Sequence, residues 1–153
     1  MKTIKKIHSG IFRDGGAGSY AKRRYRDRRN KLMAKENSLI AITGVPYGPG
    51  GKTVWSYAHS PTYQEPAMMY LTGINQNNVI LLLDPKSKTE ILFVGRKDRI
   101  MEFWEGVRFG VGDKTSLREV QSITGIKDVR DIGEFKEILK ERLLKYKNSS
   151  LAT

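Results

Sequence analysis

The chain has 153 residues, of which 39% are hydrophobic and 29% are charged, as is typical of a single soluble globular domain. It contains no cysteine, which excludes disulfide bonds, thiolate metal ligands and a cysteine nucleophile. The net charge is +12, but residues 1–35 hold 12 Lys and Arg against two acidic residues, so the rest of the chain is close to neutral.

The first part of the chain is predicted to contain a cationic helix and short strands. Residues 1–18 are glycine-rich and are predicted to be a flexible lead-in. A helix is predicted from Ser19, a suitable N-cap, to about Asn37, followed by a buried strand at 39–43. A Gly/Pro loop and a possible second strand at 54–58 follow. The segment 68–71 then leads into a turn at 72–73.

The second part contains the clearest local patterns. Two apolar runs, 79–83 and 90–94, flank a turn at 84–88 and predict a β-hairpin with buried strands. A short helix is expected within 97–105. A capping box that begins at Ser116 opens a helix predicted to end near Gly125.

The chain is predicted to close with a short strand at 126–129 and its most regular helix, at 133–147. That helix repeats apolar residues at helical spacing. They are Phe135, Ile138, Leu139, Leu143 and Tyr146. Strands that alternate with helices favour an α/β fold with a mixed sheet. Residues 148–153 are interpreted as the start of a linker.

No catalytic constellation is evident in the sequence. A phosphate loop at Gly51-Lys52-Thr53 is disfavoured, because Pro46 stands where a glycine amide is required. The two histidines, His8 and His59, have no metal-ligand spacing. Asp84 follows a strand, where a nuclease could hold a metal, but Pro85 favours a turn aspartate.

The run at 22–29 is the strongest electrostatic feature. A basic patch of Arg23, Arg24, Arg28 and Arg29 would suit a phosphate backbone, so a stand-alone module that binds nucleic acid through residues 20–35 is the alternative hypothesis. The competing interpretation is a solvated helix whose arginines pair with acids elsewhere, and it is preferred because no supporting motif is visible.

Three stretches carry motifs in a fixed order. They are YRDRRNKL at 25–32, YQEPAMMYLTGI at 63–74, and the hairpin followed by EFWEGVRFG at 102–110. Together they resemble the N-terminal domain of the aminopeptidase P family, within the creatinase–prolidase group. The resemblance implies a ribonuclease-H-like α/β fold, with a mixed sheet flanked by helices, over residues 19–147.

The resemblance also implies a role without catalysis. In this family the domain precedes a catalytic domain that binds two metal ions, usually manganese, and removes a residue that precedes proline. No cofactor and no metal ligand is therefore expected in this chain, and its expected partners are its own C-terminal catalytic domain, further copies of itself and, for the parent enzyme, peptides with proline at the second position. The candidate inter-domain or substrate-wall residues are Tyr63, Gln64, Met69 and Trp104. A cytoplasmic location and no membrane association are expected.

Overall fold

The structure is a computed structural model that describes residues 18–44, 65–76, 78–97, 100, 102 and 109–150. The elements in chain order are α1 (Gly18–Lys35), β1 (Ile40–Thr43), α2 (Pro66–Thr72), β2 (Val79–Asp84), β3 (Thr89–Val94), α3 (Lys114–Thr124), β4 (Asp128–Asp131) and α4 (Phe135–Ser150), with a 3-10 turn at Ile132–Glu134 before α4. Residues 1–17 of the predicted lead-in at 1–18 lie outside the described residues, as do the possible strand at 54–58 and most of the predicted helix at 97–105.

The four described strands form one mixed sheet in the order β1-β2-β3-β4. The pairs β1·β2 and β2·β3 are antiparallel, and β3·β4 is parallel. The predicted hairpin is confirmed, with Asp84 opposite Thr89 at its turn and Val79 opposite Val94 at its open end. A sheet flanked by helices is the fold class that the sequence predicted.

Alternation along the hairpin explains why both of its strands are continuously apolar. On one face lie Val79, Leu81, Leu83, Leu92 and Val94, in a core shared with α1, α2 and α3. On the other face, Leu82, Ile91 and Phe93 pack against residues of α4. Successive side chains of a strand point to opposite faces, so a strand that is covered on both sides is apolar at successive positions.

The predicted buried strand at 39–43 is in fact an edge strand. Ile40 and Ile42 are half-buried, whereas Ala41 and Thr43 are exposed. Among the described strands β1 pairs only with β2, which places it at the edge of this sheet.

Two helix starts differ from the predictions. The segment 66–72 is a helix, which begins with Pro66 and ends at Gly73 in the left-handed region with φ 73°. The N-cap of α3 is Asp113, whose carboxylate accepts the N–H of Thr115 at 3.0 Å. The predicted cap, Ser116, is instead buried, and its hydroxyl accepts the N–H of Gly110 at 2.9 Å.

The last helix extends further than predicted, and its predicted apolar face is only partly buried. Phe135, Ile138 and Leu139 pack against the sheet, and the rings of Phe135 and Phe93 meet edge to face at 5.3 Å. Leu143, in contrast, is 51% exposed. No helix among the described residues has the length and apolar character needed to cross a membrane.

Candidate functional site

The predicted wall residues are described only in part. Met69 lies on α2, where it is half-buried, and its neighbour Tyr70 is exposed. Tyr63, Gln64 and Trp104 lie outside the described residues, so their predicted contacts stay predictions. The geometry available is that of the segment 68–74, which carries the Tyr-Leu-Thr-Gly motif.

The motif segment is fixed by its own hydrogen bonds. The buried hydroxyl of Thr72 donates to the carbonyl of Met68 at 2.7 Å and accepts the N–H of Ile74 at 3.1 Å. Gly73 donates its N–H to the carbonyl of Met69 at 2.9 Å. These bonds satisfy the end of α2 inside the core, where an unpaired backbone group would be costly.

The helix α1 closes over this segment through Tyr25. A Cβ atom placed on Gly73 would lie 2.5 Å from the Tyr25 ring, so only glycine permits this packing. Tyr25 is itself buried. The first and second motif stretches therefore meet in space, although about forty residues separate them in the sequence.

The guanidinium of Arg29 is the central polar group of this junction. It is fully buried, donates to the carbonyl of Leu71 at 2.8 Å, and forms two bonds with the carboxylate of Glu90, at 2.6 and 3.1 Å. A charge can be buried only when it is paired and hydrogen-bonded in this way. The prediction that Arg29 belongs to an exposed basic patch is therefore wrong.

The other three arginines of the predicted patch divide into two groups. Arg28 is half-buried, donates to the carbonyl of Tyr70 at 2.9 Å, and stacks 4.1 Å from the centre of the Tyr70 ring. Arg23 and Arg24 are exposed, and Arg23 lies 4.0 Å from Asp27, one turn along the helix. The structure thus does not bring the four side chains together on one surface.

The third motif is attached to the second by hydrogen bonds from the side chain of Gln76. The amide of Gln76 donates to the carbonyl of Phe109 and accepts its N–H, both at 2.8 Å. At Gly110 an added Cβ would lie 2.6 Å from the backbone nitrogen of Lys97. The last glycine of E-x-W-x-G-x-R-x-G is thus required where two backbone segments approach closely.

Asp84 is a structural turn residue rather than a metal ligand. Its carboxylate accepts the Tyr146 hydroxyl at 2.7 Å, Arg142 Nη1 at 2.9 Å and the N–H of Ser87 at 3.2 Å. Burial raises the pKa of Asp84, but these hydrogen bonds outweigh it and hold the pKa below its ordinary value. Burial raises the pKa of Tyr146, and its hydrogen bond to Asp84 raises it further.

No group of three or more His, Asp or Glu side chains in the described part of the chain is arranged to hold a metal ion. The motif residues that are described hold helices to the sheet and segments to each other. The arrangement therefore presents two separate helical surfaces, with α1 and α2 on one side of the sheet and α4 on the other.

The comparison with family models decides the relationship. The model of the aminopeptidase P N-terminal domain matches residues 25–151, which is more than half of the chain. This chain belongs to the aminopeptidase P N-terminal domain family. The predicted family is thereby confirmed, and so is the fold class.

Solved structures agree with this assignment. Aminopeptidase PepP of Pseudomonas aeruginosa is 26% identical with a TM-score of 0.57, and the match covers 77% of this chain and 25% of that one. Proline aminopeptidase P II of Yersinia pestis is 24% identical with a TM-score of 0.58, and the match covers 77% of this chain and 26% of that one. Icp55 of Saccharomyces cerevisiae is 22% identical with a TM-score of 0.56, and the match covers 76% of this chain and 26% of that one. A search of curated proteins gives no match.

The aminopeptidase P N-terminal domain described here spans about a quarter of the length of these solved structures. Sequence reasoning missed two of the arginine–carboxylate pairs that join a helix to the hairpin, Arg29 with Glu90 and Arg142 with Asp84. One signal for them was available: both acids lie at the turn end of an otherwise apolar hairpin, where an unpaired carboxylate would be costly.

Proposed function

We propose that this chain is the non-catalytic N-terminal domain of a proline-specific metallo-aminopeptidase and that it supports oligomer assembly and forms part of the wall of the active site. One observation carries the proposal. The family match covers residues 25–151, while the chain spans about a quarter of each related structure, so most of a relative's length has no counterpart here.

The hydrogen bonds of the polar residues in the described part of the chain support the proposal that this domain is not the catalytic one. Arg29, Glu90, Asp84 and Gln76 are all engaged in hydrogen bonds that join elements of the fold. A catalytic site needs groups that converge on a substrate position, whereas each of these groups is bonded to a partner within the fold. We therefore assign peptide hydrolysis to the remainder of the parent protein.

The metal would also be held by that remainder. One related structure is a zinc-substituted Escherichia coli aminopeptidase P in complex with product, which is 21% identical to this chain. We propose two manganese ions in the parent enzyme, where they would activate water for attack on the peptide bond before proline. A cytoplasmic enzyme agrees with a chain that has no cysteine.

The wall function is proposed for Tyr63, Gln64, Met69 and Trp104. Met69 is the described member, and it lies on the segment that Arg28 and Arg29 hold by its backbone carbonyls. Because the backbone of this segment is held in place, the Met69 side chain would limit the size of the peptide that can enter the active site. Specificity of this kind requires that the larger ligand be rejected. Nucleic-acid binding is not proposed, since Arg29 is buried and Arg28 is occupied by Tyr70.

The test is a peptidase assay of the parent protein, depleted of metal and then supplied with manganese. We expect release of the N-terminal residue from an Xaa-Pro-Xaa peptide and none from the matched Xaa-Ala-Xaa peptide. This chain alone, assayed in parallel, should release nothing. Cleavage by the chain alone, or a parent protein without proline-specific activity, would contradict the proposal.

The assembly and wall functions need their own measurements. Light scattering on the parent protein should give a mass greater than one polypeptide, and a monomer at all concentrations would remove the assembly function. In the parent protein, Met69→Ala should increase kcat/KM for longer peptides more than for a tripeptide. Equal changes for both substrates would contradict a wall at Met69.

A further inference from the structure

The outer side of α4 carries two adjacent exposed leucines. Leu143 is 51% exposed and Leu144 is 53% exposed. One residue turns an α-helix by about 100°, so Leu144 lies roughly opposite the sheet-facing positions 142 and 146, and Leu143 lies on one flank. Single exposed apolar residues are ordinary, but two in succession, on a helix whose other apolar residues face the sheet, call for an explanation.

The leucines cannot reach the sheet by rotation of the helix. Arg142 Nη1 donates to Asp84 at 2.9 Å and to Ser87 at 3.1 Å, and the Tyr146 hydroxyl donates to Asp84 at 2.7 Å. These bonds fix the last turns of α4 against the turn of the hairpin. The exposure of the leucine pair is therefore a property of the folded domain.

We propose that Leu143 and Leu144 form a docking surface for the catalytic domain of the parent protein, an inference that rests on the proposed function. α4 is the last element of the family match, which ends at residue 151. Leu144 is six residues before Ser150, the last residue of α4, which corresponds to about 9 Å along the helix axis.

Because the leucines lie close to the end of the last element of the domain, the proposed catalytic domain is favoured over other occupants. A tethered partner is present at millimolar effective concentration, so a small contact is enough to hold it. Lys140 and Lys147 are exposed and lie between the two leucines around the helix. The matching surface should therefore offer apolar positions for the leucines with an acidic residue between them.

The experiment compares cysteine labelling at two neighbouring positions of the full-length parent protein. Leu144→Cys places a small apolar thiol in the proposed contact. Lys145→Cys is the matched control, because Lys145 is 65% exposed and points to the opposite flank, toward Glu141. Labelling with a maleimide is followed by mass spectrometry of the peptide that contains the residue, which separates it from other cysteines of the parent.

We expect the thiol at 144 to react about tenfold more slowly than that at 145, or slower still, because it reacts only from a minor undocked state. In a second variant, Leu143→Lys with Leu144→Lys should speed proteolysis after residue 150, whereas Lys145→Glu should not. Equal labelling rates would overturn the proposal. Protection that grows with protein concentration would also overturn it, since it would indicate a second copy of the chain.

The peptidase assay on the same preparations separates the two proposals. Proline-specific activity with equal labelling at 144 and 145 would reject the docking surface and leave the proposed function intact. Absence of that activity, with labelling at 144 still slow and independent of concentration, would reject the proposed function and leave a contact between the domains.

Discussion

The helices α1 and α4 cover opposite faces of one hairpin and are attached to it in comparable ways. Arg29 of α1 binds Glu90, and Arg142 of α4 binds Asp84. Both acids lie at the turn end of the hairpin, in adjacent pairs of the register. Because side chains alternate along a strand, one hairpin end presents an acid to each face, and each helix supplies the arginine for its own side.

The two attachments differ in burial. Arg29 is fully buried and uses Nε and both terminal nitrogens, toward a carboxylate and a backbone carbonyl. The Arg142 side chain is 21% exposed, and its described bonds all use Nη1. Water can reach part of each pair, since Glu90 is 20% exposed, but it cannot reach Arg29 itself or the buried bond from Arg29 to the carbonyl of Leu71. The same ion pair should therefore matter more to stability on the α1 side.

The largest effect is expected for Arg29→Ala. The change leaves the carboxylate of Glu90 and the carbonyl of Leu71 without their partner, and loss of one member of a buried pair costs about 3–5 kcal/mol in the free energy of unfolding. Urea unfolding of the chain measures it. Arg23→Ala, at a 72% exposed side chain on the same helix, should cost less than about 0.5 kcal/mol. Equal losses of unfolding free energy for Arg29→Ala and Arg23→Ala would contradict the expectation that the buried pair matters more.

Gly73→Ala tests the α1 side through packing instead of charge. The added methyl group would overlap the Tyr25 ring, and φ 73° is unfavourable for alanine. We expect a loss of about 2–4 kcal/mol from overpacking together with the backbone strain. Gly112→Ala is the control, because it has a positive φ but open space around it. A loss no greater than that of the control would show that the Tyr25 contact is unimportant.

On the α4 side, Asp84→Ala should cost about 1.5–3 kcal/mol, the range for hydrogen bonds to a charged group. Arg142 keeps Ser87 and Thr89 as acceptors and is partly solvated, which limits the loss. The unfolding free energy should thus fall by less than for Arg29→Ala. The reverse order would reject burial as the reason for the difference.

Tyr146→Phe tests the hydroxyl of the same cluster. It removes the group that donates to Asp84 at 2.7 Å and accepts the N–H of Lys86 at 3.4 Å, and it keeps the ring, over which the ammonium of Lys86 lies at 4.4 Å. We expect a loss of about 0.5–1.5 kcal/mol. Tyr146→Ala, which also removes the ring, should cost more in the same unfolding measurement, and equal losses would show that the ring contributes nothing.

The smallest effect is a change in pH dependence. The pKa of Asp84 is lowered in the folded state, so its contribution is present above its unfolded pKa of about 3.9 and is lost as pH falls through the folded pKa. Between about pH 6 and pH 3, Asp84→Asn should lose less stability than the unaltered chain. The lowered pKa values of Asp113, Asp131 and Glu141 are common to both proteins and cancel. If the unfolding free energies of the two proteins changed equally with pH, Asp84 would be excluded as a source of this pH dependence.

Several elements followed from local sequence. The hairpin was predictable because two apolar runs flank Asp-Pro and a polar turn, and the α1 and α4 helices because their apolar residues repeat every three or four positions. The short helix at 66–72 was not predicted. Its only local signals are Pro66 at the start and Gly73 at the end, and its closure depends on Tyr25 and Arg29 from a distant helix.

The motifs in the sequence alone were enough to predict the family, which the family model confirms. Which arginine is buried and which leucine is exposed was decided by tertiary structure. Arg28 and Arg29 are neighbours in one basic run, yet one stacks on Tyr70 and the other meets Glu90 inside the protein. Helical periodicity groups residues on a face, but what covers that face, and so the cost or gain of burying a charge, depends on elements distant in sequence.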